Sequence, residues 1–383
     1  MKLHTFHLAY GNRTLSFQIE ARHLMDQILP EVPVVESDEL TPVKKAMDQP
    51  VQSPVLEELV RPNDRVLILI PDKTRKCQVQ LILPVLIQRL HKLGVDRKQI
   101  KILMAMGSHL PQKPEEIKSL VGERLYTQFS IVEHDCHKAE TLKYMGTTTR
   151  GTPVYLNKEL FENDRIFVVG TAVHHYFAGY GGGPKMINPG CAGYETIRKN
   201  HALTIDLESG GIHPRCQSGV IQGNPVMEDI LESMQWVRVD FLIETVLDAQ
   251  GKIIAAIAGD LLAAHRQACA LVDDFYKIPI PEKADLVVAS CGGYPKDINF
   301  IQAHKSLHNA FQAVKAGGVI LLLAECRDGI GSRTFLPWFD YPDVPQMLKA
   351  LKENYTLNGT TALSVKLKSQ QVHIILVSSL EDS

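Results

Sequence analysis

The sequence predicts an α/β protein: two layered α/β domains with mostly parallel sheets and an active-site cleft between them. Three observations point there. Apolar runs of about five residues, such as Val66-Leu67-Ile68-Leu69-Ile70, are bounded by polar turns, the signature of strands buried on both faces. Helix-period segments alternate with these runs, and a βαβα rhythm builds parallel sheets. The length of 383 residues supplies two domains at roughly 150 residues each.

Taken in order, the first twenty residues alternate around Tyr10-Gly11-Asn12 and read as a β-hairpin. A Pro-punctuated acidic stretch runs from Pro30 to Pro54. The strand Val66–Ile70 is followed by a helix from Val79 to Leu93, ending at Gly94. Ile100–Met106 is a second strand, a helix starts near Pro114, and Ser130–Glu133 and Asp164–Gly170 are further strands. Glu195 to His201 reads as helical. Pro279-Ile280-Pro281 marks a linker, after which Ala284–Ser290, Gly318–Ala324 and His373–Val377 read as strands, with helices over 302–315 and 345–355. The expected domains are therefore 1–270 and 280–383, with the last segment a candidate to pack back on the first domain.

Hydrophobic residues make up 45% and charged residues 22%, which excludes wholesale disorder. With 41 Lys+Arg against 43 Asp+Glu, the chain lacks the basic excess of a nucleic-acid binder. Seven cysteines without a Cys-x-x-Cys pair fit a reduced, cytoplasmic setting rather than a disulfide framework or thiolate zinc site. No apolar run approaches the ~20 residues of a membrane span, and the N-terminus lacks the apolar core of a secretory signal.

Open α/β sheets bind ligands beyond the carboxyl ends of their strands. Four strand ends carry chemistry: Pro71-Asp72-Lys73-Thr74-Arg75, Gly107-Ser108-His109, Gly170-Thr171-Ala172-Val173-His174-His175 and Ser290-Cys291-Gly292-Gly293-Tyr294-Pro295. The densest segment, His174 to Gly190, sets Gly179, Gly181, Gly182 and Gly183 before Lys185. Such a backbone suits close approach to an anion, yet it is neither a Walker A loop nor a dinucleotide fingerprint, and a mobile surface loop explains its composition equally well. His201, within thirty residues of two other histidines, is a candidate metal ligand, whereas His134-Asp135-Cys136-His137 matches no standard zinc spacing and reads as structural.

Together, Pro71-Asp-Lys-Thr-Arg75, Gly107-Ser-His109, His175-x9-Lys185, Pro189-Gly190, His201, and Gly293-Tyr-Pro-Lys-Asp297 with Asn299, Gln302 and Lys305 resemble the nickel-pincer lactate racemase family. The resemblance runs from about residue 64 to 305 in the family's order. It implies a racemase or epimerase of a small 2-hydroxy acid. Its cofactor is a nickel-pincer nucleotide, a nickel-carrying pyridinium-3-thioamide-5-thiocarboxylate mononucleotide loaded by cofactor-making enzymes. By motif, Lys185 is the covalent tether in a loop with Gly181, Gly182 and Gly183. His201 is the nickel ligand, and His109 and His175 are the acid/base pair. Arg75, Gln302 and Lys305 bind substrate, and Asp72 braces the site. Ile301 stands where lactate-using members tend to carry tyrosine, and Gly181 replaces a usual serine.

Two rivals remain at this level. A metal-dependent hydrolase would take His109, His175 and His201 around one ion. A non-catalytic nucleotide-binding protein would use Lys185 only as a cation for phosphate.

Overall fold

The structure is a computed structural model that describes residues 2–33, 38–75 and 77–381. Alternation around Gly11 gives the hairpin β1 (Leu3–Tyr10) and β2 (Arg13–Glu20), in register from Leu3↔Glu20 to Tyr10↔Arg13. Residues 34–37 of the Pro-punctuated stretch lie outside the described residues; the same stretch holds α1 (Leu40–Asp48), which buries Val43, Ala46 and Met47. The single turn α2 (Leu56–Leu59) precedes β3 (Val66–Pro71), buried at every position. Then follow α3 (Val79–Lys92), β4 (Ile100–Ala105), α4 (Pro114–Val121), α5 (Glu123–Gln128) and β5 (Ser130–Glu133).

A second hairpin, β6 (Leu142–Thr147) with β7 (Pro153–Asn157), and the turn α6 (Glu159–Glu162) lead into β8 (Arg165–Thr171). A tight hairpin joins β9 (Val173–His175) to β10 (Gly179–Gly181), and α7 (Tyr194–Ala202) precedes the short pair β11 (Ile205–Asp206) and β12 (Gly211–Ile212). Next come α8 (Pro225–Ser233), β13 (Phe241–Leu247), β14 (Ile253–Gly259) and α9 (Leu261–Tyr276). Asp260, which interrupts the most apolar region of the sequence, caps α9 by accepting the N–H groups of Leu262 (3.0 Å) and Ala263 (2.9 Å). The chain closes with β15 (Ala284–Ser290), α10 (Phe300–Ala313), β16 (Val314–Leu323), α11 (Val344–Glu353), α12 (Gly359–Ser369) and β17 (His373–Val377).

Two compact units result: residues 31–200 with 217–277, and residues 1–30 with 201–216 and 278–383. The larger is built on a sheet of order β14-β13-β8-β3-β4-β5, parallel throughout except for β14 against β13. From β3 the chain adds β4 and β5 on one side, then β8 and β13 on the other. The carboxyl ends of β3 and β8 therefore form a topological switch point. Its core gathers Ile68, Ile70, Leu83, Leu86, Phe167 and Phe241.

The smaller unit carries the parallel sheet β15-β16-β17 with α10 and α12 against it, around Leu307, Ile320 and Leu322. Trp338, Met347, Leu348 and Leu351 form a second cluster in that unit. These units differ from the contiguous spans 1–270 and 280–383. The hairpin turn joins the C-terminal segment because Gly11 N–H donates to Asp297 Oδ2 (2.6 Å) and Tyr294 N–H to Gly11 O (2.9 Å). Residues 201–216 join it because Thr204 and Thr360 share a hydroxyl hydrogen bond (2.6 Å) and Ile205 packs with Trp338 and Leu351. The final strand pairs with β16 in this unit, from Val319↔His373 to Leu323↔Val377, instead of returning to the first domain. Among the described residues no helix is long and apolar enough to cross a membrane.

Candidate active site

At the switch point of the larger unit, β3 delivers Asp72 as its first residue beyond the strand, 3% exposed. The Thr74 N–H (2.9 Å) and hydroxyl (2.6 Å) donate to Asp72 Oδ1, while His109 Nδ1–H donates to Oδ2. Burial alone would raise this carboxyl. The charge and hydrogen bond of His109, then Arg75 and Thr74, outweigh it and hold Asp72 well below the ordinary carboxylate range. With Nδ1–H fixed in this way, Nε2 is the nitrogen of His109 left to exchange a proton. Arg75 Nη1 donates to Thr74 Oγ1 (2.9 Å), so one tight turn after β3 sets both the brace and the guanidinium.

The β9–β10 hairpin separates the doubled histidine. Neighbouring strand residues point to opposite faces. His174 Nε2 is hydrogen bonded to Asp273 Oδ1 (2.8 Å), to which the Tyr180 hydroxyl also donates (2.8 Å). His175 instead accepts the Ala178 N–H at Nδ1 (3.2 Å) and stacks on Tyr176, which leaves its proton on Nε2.

The glycines before Lys185 have packing reasons. Gly181 is buried in β10 opposite Val173. A Cβ on Gly182 (φ +91) would stand 1.9 Å from Glu244 Oε1, and one on Gly183 (φ +46) 2.4 Å from the His265 ring. The Gly183 N–H donates to Glu244 Oε1 (2.7 Å), so that donor faces a carboxylate rather than a bound anion. The loop turns back toward β4, where Gly107 N–H donates to Gly190 O (2.8 Å), tying the His109 and Lys185 segments together. Lys185 Nζ lies 5.6 Å from the Phe177 ring, and among the described residues nothing accepts a hydrogen bond or forms an ion pair with it. Burial and then the Arg75 charge bring this amine down to about 7. Asp72, Arg75, His109, His175 and Lys185 thus sit at the carboxyl ends of β3, β4 and β8 in one unit.

The remaining residues of the motif set belong to the smaller unit. His201 lies in the last turn of α7. Asn299 caps α10 by accepting the Gln302 N–H (3.0 Å), and Lys305, one turn on, donates to Gln302 Oε1 (2.6 Å). Asp297, buried and bound to Gly11 N–H, is architectural. So is His134, held by Ala192 O (2.9 Å) and Asn157 (3.0 Å), in keeping with the structural reading of its cluster. Glu244, His265 and Asp273, which lie behind the lysine loop and the hairpin, carry no motif. Only the Asp260 cap before α9 hints that this region is helical. Among the described residues no group of three or more His, Cys, Asp or Glu side chains is placed to hold a metal ion.

Strand-end histidines, a guanidinium and a desolvated amine gather at the switch point of an α/β sheet, where folds of this class bind their ligands. Residues 10–211 match the lactate racemase N-terminal domain and residues 280–380 the lactate racemase C-terminal domain. The chain is 31% identical over 387 residues to the lactate racemase of Lactiplantibacillus plantarum, covering 98% of this chain and 88% of that protein. It is 30% identical over 341 residues to the lactate racemase of Thermoanaerobacterium thermosaccharolyticum, covering 88% and 78%. The solved lactate racemase apoprotein of the latter organism superimposes with a TM-score of 0.87 at 28% identity, over 98% of this chain and 88% of that one. A Thermotoga maritima protein shares the fold at a TM-score of 0.69 and 19% identity, over 92% and 90%. The chain belongs to the lactate racemase family and is a racemase, hence an isomerase.

Proposed function

We propose that this racemase inverts Cα of a small 2-hydroxy acid by reversible hydride transfer, using a nickel-pincer nucleotide tethered through Lys185. The observation that carries the reading is the Lys185 amine, desolvated, without a carboxylate partner among the described residues and lowered to about 7. A lysine that is to hold a cofactor covalently reacts through its unprotonated form, and an amine lowered to about 7 is about half unprotonated at neutral pH. The residues also fit a metal that arrives with its own sulfur ligands. The chain would add a single imidazole, His201, to that metal.

When bound, the nucleotide supplies an electrophilic pyridinium carbon that accepts hydride from Cα and returns it. The chain's own residues do the rest. Arg75 clamps the substrate carboxylate, and Gln302 and Lys305 orient it. His109, aligned by Asp72, takes the hydroxyl proton at Nε2 from one enantiomer, and His175, which carries its proton on Nε2, gives that proton to the hydroxyl of the other as it forms. Both are histidines, the side chain suited to giving and taking a proton near neutral pH.

Expression with the cofactor-making enzymes, intact-mass measurement and a chirality-resolved assay over a panel of 2-hydroxy acids test this. Lys185→Ala abolishes the covalent adduct, while His109→Ala and His175→Ala keep the adduct and lose turnover. An adduct that survives removal of Lys185 overturns the tether. Cytoplasmic residence and dependence on the loading enzymes belong to the same proposal.

A further inference from the structure

The Lys185 loop rests on a buried pair outside every motif of the sequence. Glu244, on β13, is 0% exposed, and His265, on α9, is 3% exposed. The two carboxylate oxygens hold different partners. Oε1 accepts the Gly183 N–H (2.7 Å), and Oε2 is bonded to His265 Nδ1 (2.7 Å). His265 Nε2 reaches Cys269 Sγ, one turn further along α9, at 3.4 Å. The loop can lie on this pair only because two successive residues lack side chains. Added Cβ atoms would fall 1.9 Å from Glu244 Oε1 at Gly182 and 2.4 Å from His265 Cγ at Gly183. The turn is continuous into the lysine, since Lys185 N–H donates to Gly182 O (3.0 Å). From the carboxylate to the amine-bearing residue the connection is therefore one hydrogen bond, two residues and one tight turn.

We infer that Glu244 is the positioning residue of the cofactor tether: its carboxylate, reaching Gly183 N–H and His265 at once, fixes the turn that aims the Lys185 amine. The inference rests on Lys185 being the tether but concerns the geometry of the loop before any cofactor is present. What the turn needs from Glu244 is reach and an acceptor oxygen, not negative charge. An amine that leaves its desolvated seat is protonated near neutral pH like an ordinary lysine, so losing the reach should show in the reactivity of the amine itself.

The test uses the cofactor-free full chain and N-hydroxysuccinimidyl acetate, which acetylates an amine and releases N-hydroxysuccinimide. The rate at Lys185, read by peptide mass spectrometry at pH 7.5, is normalised to exposed Lys98 in the same sample. Glu244→Gln keeps the reach and the acceptor oxygen, and His265 meets its amide in the other tautomer, so the normalised rate stays near the wild-type value. Glu244→Asp keeps the charge but is a methylene short, so the amine leaves its seat, is mostly protonated at pH 7.5, and the rate falls about tenfold or more. An Asp variant that reacts like wild type overturns the inference. A Gln variant that falls as far as Asp also does, because charge would then be what matters. A measurement on the unmutated chain guards against variants that fail to fold. The Gly183 amide should exchange its hydrogen at least about tenfold slower than an open loop amide, and exchange at open-loop speed overturns the inference. The labelling needs no cofactor, so a chain that passes it and never forms the adduct sinks the tether reading alone.

Discussion

Asp72 illustrates how a single buried carboxylate sets the chemistry of its neighbours. It receives Thr74 on one oxygen and His109 on the other, so the imidazole is presented in one tautomer. Asp72→Asn removes the preference for Nδ1–H and should lower kcat by about 10²-fold or more while the Lys185 adduct still forms, checked by racemisation assay and intact mass. Because the folded-state pKa of Asp72 is lowered, its contribution to stability is complete above about pH 4 and is lost as the pH falls below that. Lys185 shifts in the opposite functional sense. Lowered to about 7, it is mostly neutral above that pH, whereas a surface lysine is neutral only above about 10.4. Acylation of Lys185 measured against pH should therefore reach half its maximum near 7, and a midpoint with the surface lysines would refute the assignment. The doubled histidine gives a further contrast. His174→Gln should retain turnover and cost about 1 kcal/mol of stability, whereas His175→Ala loses turnover. Residue types at strand ends were legible from sequence because the sheet class says where ligands bind. Their supports were not: Glu244 lies 61 residues from Gly183, and Asp273 lies 99 from His174.

At the scale of elements, continuous apolar runs announced β3, β4 and β8, since a strand buried on both faces leaves no polar alternation to confuse the pattern. Helix α12 was silent for the converse reason. Its buried face includes Thr360, Thr361, Ser364 and Lys368, so no apolar period marks it. In the first turn of α10 the helix cap coincides with the residues proposed to bind substrate. Asn299 accepts the N–H of Gln302, and Gln302 accepts from Lys305. Asn299→Ala should cost about 1 kcal/mol, read as a lower melting temperature. Because the frayed turn also releases Gln302, KM for the 2-hydroxy acid should rise more than kcat falls. A lowered melting temperature with unchanged KM would separate the cap from the substrate-binding role.

At the scale of the molecule, chain order and compact unit do not coincide. Apolar patterning reports local period, and nothing in it shows that residues 1–30 and 201–216 pack with 278–383. The consequence is testable because the smaller unit's core is assembled from three stretches of sequence. A fragment of residues 278–383 keeps β15-β16-β17 but loses Ile205 from the Trp338 cluster, a side chain worth about 1.5–3 kcal/mol when buried. It also leaves Thr360 without Thr204, and buried Asp297 without the Gly11 N–H. Each loss of a buried partner costs about 1–3 kcal/mol, and a carboxylate more. Against a domain stability of about 5–15 kcal/mol, these losses leave little margin. The fragment should therefore show secondary structure by far-ultraviolet circular dichroism but no cooperative thermal transition, and it should bind a hydrophobic dye. Supplying residues 1–30 and 201–216 through short flexible linkers should restore the transition. A sharp cooperative melt from 278–383 alone would show that the contiguous C-terminal span is a domain in its own right.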